Sequence, residues 1–315
     1  MYPGSAKSAA YDRSATMFSP DGRLYQVEYA SKIVQQGTTG AACIYRNGVV
    51  FGADKNITSK LMLPDSVEKL FKVDDHIGAV SAGLVGDARR LIQGARAKAQ
   101  ENIMYYDEPI HVETLAKDIS GNMQVVTQYG GMRPFGVSFI LGGVDETGPR
   151  LFETEPSGAL AEYVAVAVGQ GRKEAMEHFE KNFQSNFSRE QAVKLVFGAL
   201  EQGLPKNQRL SLDRVDFGYV DKDKPFARMD KNELKAIIGS RSGSASALGL
   251  SSSKNSARRV VLSFFIHRSL NRSTSAVMAS FNAPRLSKVR FRKRAMIQRL
   301  AKSTPFSTFA LSFGL

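Results

Sequence analysis

Pairs of strand-like segments alternate with pairs of helical segments through residues 11–238, and this order limits the possible folds more than any other feature. Two hairpins come first, followed by two helices, further strands, two more helices and a last strand. The predicted strands span 38–45, 49–53, 69–73, 77–82, 135–144, 149–153, 162–168 and 213–220. Such an order is typical of two antiparallel sheets stacked face to face, with helices on their outer faces.

Helical segments with recognisable ends separate these strands. They are predicted at 85–105, 111–128, 173–183, 189–202 and 231–238. Ser188 and Gln191 form a capping-box pattern at the start of one of them. A further helix is predicted over about 22–35, with Ser19 as its cap and Gly37 after its last turn.

The positive charge of the chain is confined to its last quarter. Residues 239–315 contain 4 Lys, 10 Arg and no acidic residue, whereas residues 1–238 contain 29 basic and 30 acidic residues. The body is therefore nearly neutral, and the net charge of +13 does not indicate that it binds nucleic acid. Residues 1–10 are small and polar, and are predicted to form a flexible arm.

The basic, Ser/Arg-rich tail at 239–315 has three interpretations. It is a disordered extension, a segment that binds nucleic acid or another acidic partner, or an out-of-frame translation of downstream DNA. The lack of Asp and Glu is unusual for a folded domain, and the apolar run at 260–266 is unusual for ordinary disorder. We expect this tail to be disordered or not native.

Several classes of protein are disfavoured by simple counts. No run of 18 apolar residues predicts a membrane span, and no secretory signal is evident. The single cysteine, Cys43, suits a cytoplasmic location, because it cannot form an internal disulfide. The four histidines are far apart and offer no zinc-ligand spacing, so no metal or cofactor is expected.

One stretch carries a specific family resemblance. Residues 18–30, FSPDGRLYQVEYA, resemble the N-terminal signature of proteasome α-subunits position for position. Further similar segments are YDR at 11–13 and the longer stretches at 66–89, 127–145 and 149–158. The resemblance covers roughly residues 8–238 and is closest in character to archaeal α-subunits.

This resemblance implies an α+β fold, the four-layer αββα sandwich of N-terminal-nucleophile hydrolases, with an extra N-terminal helix. It also implies a non-catalytic subunit of the 20S core particle that builds the outer seven-membered ring and gates substrate entry. The implied partners are other α-subunits, proteasome β-subunits, an AAA ATPase regulator or other activator, and unfolded protein substrates.

A catalytic alternative must be weighed against that function. Proteasomal β-subunits use an N-terminal threonine as the nucleophile, and a lysine and an aspartate tune its reactivity. Thr38, which follows Gly37, stands at the place equivalent to that threonine, and Asp54 and Lys69 lie near the positions of the two tuning residues. Cleavage between Gly37 and Thr38 would produce a threonine peptidase. The residues before Thr38 form the α-type signature, however, and an amide nitrogen cannot serve as the base, so no catalytic residue is expected.

Residue roles carried over from the family fall into three groups. Tyr11, Asp12, Pro20 and Tyr29 match the cluster that holds the gate open, although the two tyrosines could equally be ordinary packing aromatics. Gly37, Lys69 and Leu84 match the pocket that receives activator C-termini, although most lysines are simply solvated. Tyr129, Gly130 and Gly131 match the loop of the pore annulus, which is also compatible with a plain helix-to-strand turn.

Overall fold

Ten strands in the described part of the chain form two five-stranded antiparallel sheets. A computed structural model of the protein describes Tyr11, Ser14 and residues 16–57, 59, 61–205 and 208–239. The predicted arm at 1–10, Asp12 and all of the predicted tail after Gly239 lie outside the described residues. The domain boundaries drawn from the sequence therefore stay predictions.

The first sheet has the strand order β10-β9-β2-β1-β8. Its strands are β1 (Gly40–Tyr45), β2 (Gly48–Asp54), β8 (Ala165–Val168), β9 (Val215–Asp221) and β10 (Lys224–Arg228). The second sheet has the order β3-β4-β5-β6-β7. Its strands are β3 (Leu70–Asp74), β4 (Ile77–Gly83), β5 (Val137–Asp145), β6 (Gly148–Thr154) and β7 (Leu160–Glu162).

Helices cover the outer face of each sheet. The described helices are α1 (Tyr25–Gln36), α2 (Val85–Tyr106), α3 (Val112–Val126), α4 (Arg172–Asn182), α5 (Arg189–Gln202) and α6 (Lys231–Gly239). The capping box predicted for α5 is confirmed, because Ser188 Oγ accepts from Gln191 N and Gln191 Oε1 accepts from Ser188 N. In the described part of the chain, no helix combines the length and hydrophobicity needed to cross a bilayer.

Three apolar clusters define four layers. One cluster joins α4 and α5 to the first sheet, a second joins α2 and α3 to the second sheet, and the third lies between the two sheets. Strand β2 shows the consequence, since Val50 packs towards α5 while Val49 and Phe51 pack between the sheets. A strand that is buried on both faces has an unbroken run of apolar residues in its sequence. The predicted αββα sandwich is confirmed.

The start of α1 differs from the prediction. The helix begins at Tyr25, and residues 19–23 form a separate turn in which Gly22 N donates to Ser19 O at 2.8 Å. Gly22 has a φ of 73°, a left-handed conformation that interrupts a right-handed helix. Ser19 therefore caps the turn, where its hydroxyl accepts from Arg23 N at 3.1 Å, and does not cap the helix.

Two strand predictions are also corrected. The segment predicted as one strand at 162–168 is divided between β7 and β8, which lie in different sheets. Between them, Tyr163 N donates to Leu151 O and Ile44 N donates to Val164 O, so the backbone changes partners within two residues. Strand β10 was not predicted, because Pro225 and the polar residues beside it are typical of a loop and are tolerated only at a sheet edge.

Candidate functional site

The Lys69 side chain lies at the junction between the N-terminal helix and the sheets. Its ammonium donates to Thr38 O at 2.6 Å, to Thr38 Oγ1, and to Asp54 O at 3.2 Å. Thr38 Oγ1 in turn donates to Asp54 O at 2.6 Å. Thr38 follows the end of α1, Asp54 ends β2, and Lys69 directly precedes β3. Three segments distant in sequence thus converge on one buried ammonium.

A buried ion pair supports this arrangement from the opposite side. Arg214 makes two parallel hydrogen bonds to Asp54, at 2.6 Å to Oδ1 and 2.9 Å to Oδ2. The Asp54 side chain is only 2 % exposed. The next residues repeat the pattern, because Lys55 pairs with Asp216 at 2.5 Å. Two consecutive acid–base pairs therefore join the end of β2 to the start of β9.

Burial changes the acid–base behaviour of Lys69. Loss of solvation is the main cause that lowers the pKa of its ammonium to about 7, and the positive charge of Arg214 acts in the same direction. The negative charge of Asp54 opposes both. Lys69 is therefore a group whose charge changes near neutral pH, unlike an exposed lysine.

The peptide bond before Thr38 is built into the fold. Gly37 N donates to Val34 O at 3.0 Å, which closes the last turn of α1, and Gly37 O accepts from Gln170 N at 2.8 Å. Gly169 approaches from the other side with a φ of 98°, and a Cβ there would lie 2.7 Å from Thr38 O. The nitrogen of Thr38 is an amide in this arrangement and has no basic lone pair.

The structure brings the three residues predicted for an activator pocket into one region. A Cβ on Gly37 would lie 2.5 Å from Gly83 N, so the end of α1 presses directly against β4. Leu84 follows Gly83, is 39 % exposed, and donates its N–H to Gly136 O at 2.9 Å. Lys69 reaches the same region through Thr38 and is buried, with 6 % of its surface exposed in this single chain. Its role as a docking residue stays a prediction.

The residues predicted for the gate lie at the start of the described chain. Pro20 is exposed in the turn at 19–23, and Tyr29 lies on α1, where the Lys32 ammonium stands 5.4 Å from the centre of its ring. Tyr11 is partly buried, and Asp12 lies outside the described residues. Their joint role in gating stays a prediction.

The loop between α3 and β5 holds the residues predicted for the pore annulus. Tyr129 is 59 % exposed, Gly131 has a φ of 83°, and a Cβ on Gly130 or Gly131 would meet open space. Arg133 anchors the loop through two hydrogen bonds to Asp87, at 2.6 and 2.7 Å. Burial of Asp87 opposes its ionisation, but the hydrogen bonds from Arg133 and from Gly136 N outweigh it and lower the pKa of the carboxyl.

Sequence reasoning missed the partners of the central residues. It singled out Thr38, Asp54 and Lys69, but it did not show that Arg214, just before β9, and Gln170, in the turn before α4, hold the site. The one available signal was the charged pair 54–55 at the end of an apolar strand, because buried charges require partners.

Comparison with known proteins decides the family. A model described as "Proteasome subunit" matches residues 34–220, and a model of the N-terminal signature of A-type proteasome subunits matches residues 11–32. The chain belongs to the proteasome α-subunit family. It is 47 % identical to the proteasome α-subunit of Methanothermobacter thermautotrophicus over 230 residues, which are 73 % of this chain and 92 % of that protein.

Two further relatives give the same result for this α-subunit. The proteasome α-subunit of Archaeoglobus fulgidus is 48 % identical over 229 residues, covering 72 % of this chain and 92 % of the relative. That of Methanopyrus kandleri is 45 % identical over 229 residues, covering 73 % of this chain and 92 % of the relative. The archaeal character expected from the sequence is confirmed, and proteasome subunits are the partners that membership of the family implies.

Proposed function

We propose that this α-subunit is a non-catalytic component of the 20S core that forms the outer heptameric ring, gates entry and docks activators. The observation that carries the proposal is the built-in peptide bond between Gly37 and Thr38. Gly37 N donates to Val34 O at the end of α1, and the carbonyl oxygen of Gly37 accepts from Gln170 N. Threonine peptidases of this architecture need a free α-amine on the nucleophile, and this bond withholds it.

Helix α1 is an integral part of the molecule. Ala30 and Val34 are buried, and Val34 belongs to the apolar cluster between the sheets. Removing residues 1–37 would expose that cluster, at a cost of roughly 1.5–3 kcal/mol for Val34 alone. The burial of Ala30 and Val34 therefore supports a structural role for the segment before Thr38 and argues against a leader that is removed.

Gating is proposed from the position of two exposed features. The exposed residues 20–23 and Tyr29 follow the predicted arm at 1–10 in the sequence, and the exposed Tyr129 loop is suited to line a constriction. Seven arms converging on one axis would close a pore that modest binding energy could reopen. Unfolded polypeptides would pass into the chamber formed by β-subunits, and the protein would act in the cytoplasm.

Activator docking is proposed for the region of Gly37, Lys69 and Leu84. A partly exposed leucine in the same region as a buried ammonium suits a peptide terminus that brings an apolar side chain and a carboxylate. An AAA ATPase regulator or another activator would supply that terminus. In a ring, the neighbouring subunit would form the other wall of the pocket.

The threonine-peptidase alternative has one observation in its favour, namely the ammonium of Lys69 at Thr38 Oγ1. The deciding experiment is expression of the full chain with and without an archaeal β-subunit. We expect seven-fold rings by electron microscopy, and by intact mass an α-chain that retains its N-terminal segment. Peptide hydrolysis should require the β-subunit. A chain that begins at Thr38 and hydrolyses peptides alone would overturn the proposal.

Substitution of Tyr29 by phenylalanine tests the gate. Losing one phenolic hydrogen bond of about 0.5–1.5 kcal/mol should lower the open fraction roughly two- to tenfold, because the open and closed states differ by a small free energy. The measurement is activator-stimulated peptide hydrolysis by the assembled particle, with ring formation checked in parallel. Tyr105, exposed on α2, provides the matched Tyr→Phe control. Equal rates for the two variants would argue against a gating role for Tyr29.

A further inference from the structure

His76 lies at the tip of the β3–β4 hairpin, between Asp74 at the end of β3 and the connection from α2 to α3. Its Nε2 lies 2.7 Å from Ile110 O, which belongs to that connection, and its Nδ1 lies 3.5 Å from Asp74 Oδ2. The side chain of His76 is 19 % exposed and that of Asp74 is 10 % exposed. None of the three roles considered above uses these residues.

Asp74 has one buried oxygen without a hydrogen bond. Its Oδ1 accepts from Asp75 N at 2.8 Å, whereas Oδ2 is buried and has no hydrogen-bond partner among the described residues. Buried polar groups are nearly always paired, and an unpaired carboxylate oxygen carries a cost of desolvation. The ring of His76 stands next to this oxygen and becomes a cation when it is protonated.

The contact with Ile110 determines where the first ring proton of His76 lies. A carbonyl oxygen can only accept, so Nε2 carries a hydrogen and donates to Ile110 O. In a neutral ring, Nδ1 would then present a lone pair to the Asp74 carboxylate, and two acceptors would face each other. A second ring proton removes this conflict, because Nδ1 can then donate to Oδ2 while Nε2 keeps its bond to Ile110 O.

We propose that one proton held between His76 Nδ1 and Asp74 Oδ2 closes a pH-operated clamp, which ties the β3–β4 hairpin to the connection between α2 and α3. Histidine is the side chain whose charge ordinarily changes between pH 5 and 8, so such a clamp responds to moderate changes of pH. When the proton is lost, the ring must turn away from Asp74 or water must enter to reach Oδ2. Either change loosens the tip of the hairpin.

The charged groups on the neighbouring elements have partners of their own. Asp75 pairs with Lys72 at 2.5 Å on the exposed side of the hairpin. Asp145, at the end of β5, accepts from two backbone N–H groups and lies 3.7 Å from the ring of His111. The other charged residues on these elements are Arg96 on α2, which donates to Lys72 O, and the exposed Asp107 and Glu108. Asp74 is thus the charged partner of His76.

Two backbone hydrogen bonds report whether the tip of the hairpin is closed. Val144 N, on β5, donates to His76 O at 3.1 Å, and Phe226 N, on β10, donates to Asp75 O at 2.6 Å. An amide hydrogen in such a bond exchanges with solvent when the local structure opens. The protection factors of these two amides, which are corrected for the intrinsic exchange rate at each pH, therefore measure the opening of the clamp.

The test is hydrogen exchange of the full chain between pH 6 and pH 8, read by mass spectrometry at single-residue resolution. In the wild type, protection of Val144 and Phe226 should fall by about tenfold over this range, because the closed form holds a proton that the open form loses. Asp74→Asn should not show this fall, because a carboxamide can donate to the Nδ1 lone pair of a neutral ring. His76→Gln has no titratable group at this position and should also give constant protection.

Two controls separate the clamp from general effects of pH. His111→Gln removes the other histidine of this region, which is 52 % exposed, and protection should fall with pH as it does in the wild type. The amides of β1, in the other sheet, should keep constant protection in all four proteins.

Three outcomes would overturn the inference. They are constant protection of Val144 and Phe226 in the wild type, a fall that Asp74→Asn and His76→Gln both retain, and an equal fall in β1, which would indicate general destabilisation. The inference does not depend on ring formation, gating or activator docking.

Discussion

Replacing Arg214 by methionine should lower the free energy of unfolding by about 3–5 kcal/mol. The substitution keeps the length of the side chain but leaves the Asp54 carboxylate, 2 % exposed, without its two hydrogen bonds. A buried carboxylate that loses its only guanidinium carries the full cost of desolvation. Urea unfolding of the separated subunit, followed by circular dichroism, measures the loss.

Two variants make this measurement specific. Lys72→Met removes an exposed pair with Asp75, whose side chains are 50 % and 75 % exposed, and should cost less than about 1 kcal/mol. The double variant Asp54→Asn with Arg214→Met removes the orphaned charge and should recover part of the loss. If Arg214→Met costs no more than Lys72→Met, the ion pair does not stabilise the fold.

A peptide taken from the C-terminus of an activator should bind the assembled ring about tenfold more weakly for each pH unit above about 7. The pKa of Lys69 is about 7 in the free protein, and a bound carboxylate would raise it by favouring the charged form. Binding is therefore at full strength below pH 7, where Lys69 is already protonated. Above pH 7 each binding event must also take up a proton. Fluorescence anisotropy of a labelled peptide measures the dependence.

Three controls separate this effect from general changes with pH. The same peptide with a C-terminal amide should bind weakly at every pH, because it lacks the carboxylate. Lys69→Met should abolish docking, and Lys69→Arg should remove the pH dependence of any docking that remains, since a guanidinium stays charged. A wild-type affinity that is constant from pH 6 to 9 would contradict the assignment of Lys69 as the carboxylate-binding group.

The lowered pKa of Lys69 also makes the folding stability of the protein depend on pH, and this dependence is opposite in sign to that of peptide docking. An unfolded lysine has a pKa of about 10.4, so between pH 7 and 10.4 the unfolded chain holds more protons at this position than the folded chain. The contribution of Lys69 to stability therefore rises with pH across that window. Docking weakens as the site itself becomes more stable, so a loss of docking at high pH cannot be attributed to local unfolding at Lys69.

Local chemistry in the sequence determined much of the fold. The capping box at Ser188, the hairpin at Asn47 and the alternation of strand and helix pairs all depend on near neighbours, and each is confirmed. The signature at 18–30 and the segments after it identified the family, because their residue types are specific enough to be read without coordinates. The sequence also shows that the nitrogen of Thr38 is an amide for as long as the bond to Gly37 is uncleaved.

Tertiary structure decided what depends on distant partners. Periodicity could not divide 162–168 between two sheets, because alternation shows which face a residue occupies and not which strand it bonds. Nor could it pair Asp54 with Arg214, 160 residues away, or place His76 against the carbonyl oxygen of Ile110. Burial, and with it the near-neutral pKa of Lys69, exists only once the sheets and helices have packed and excluded water.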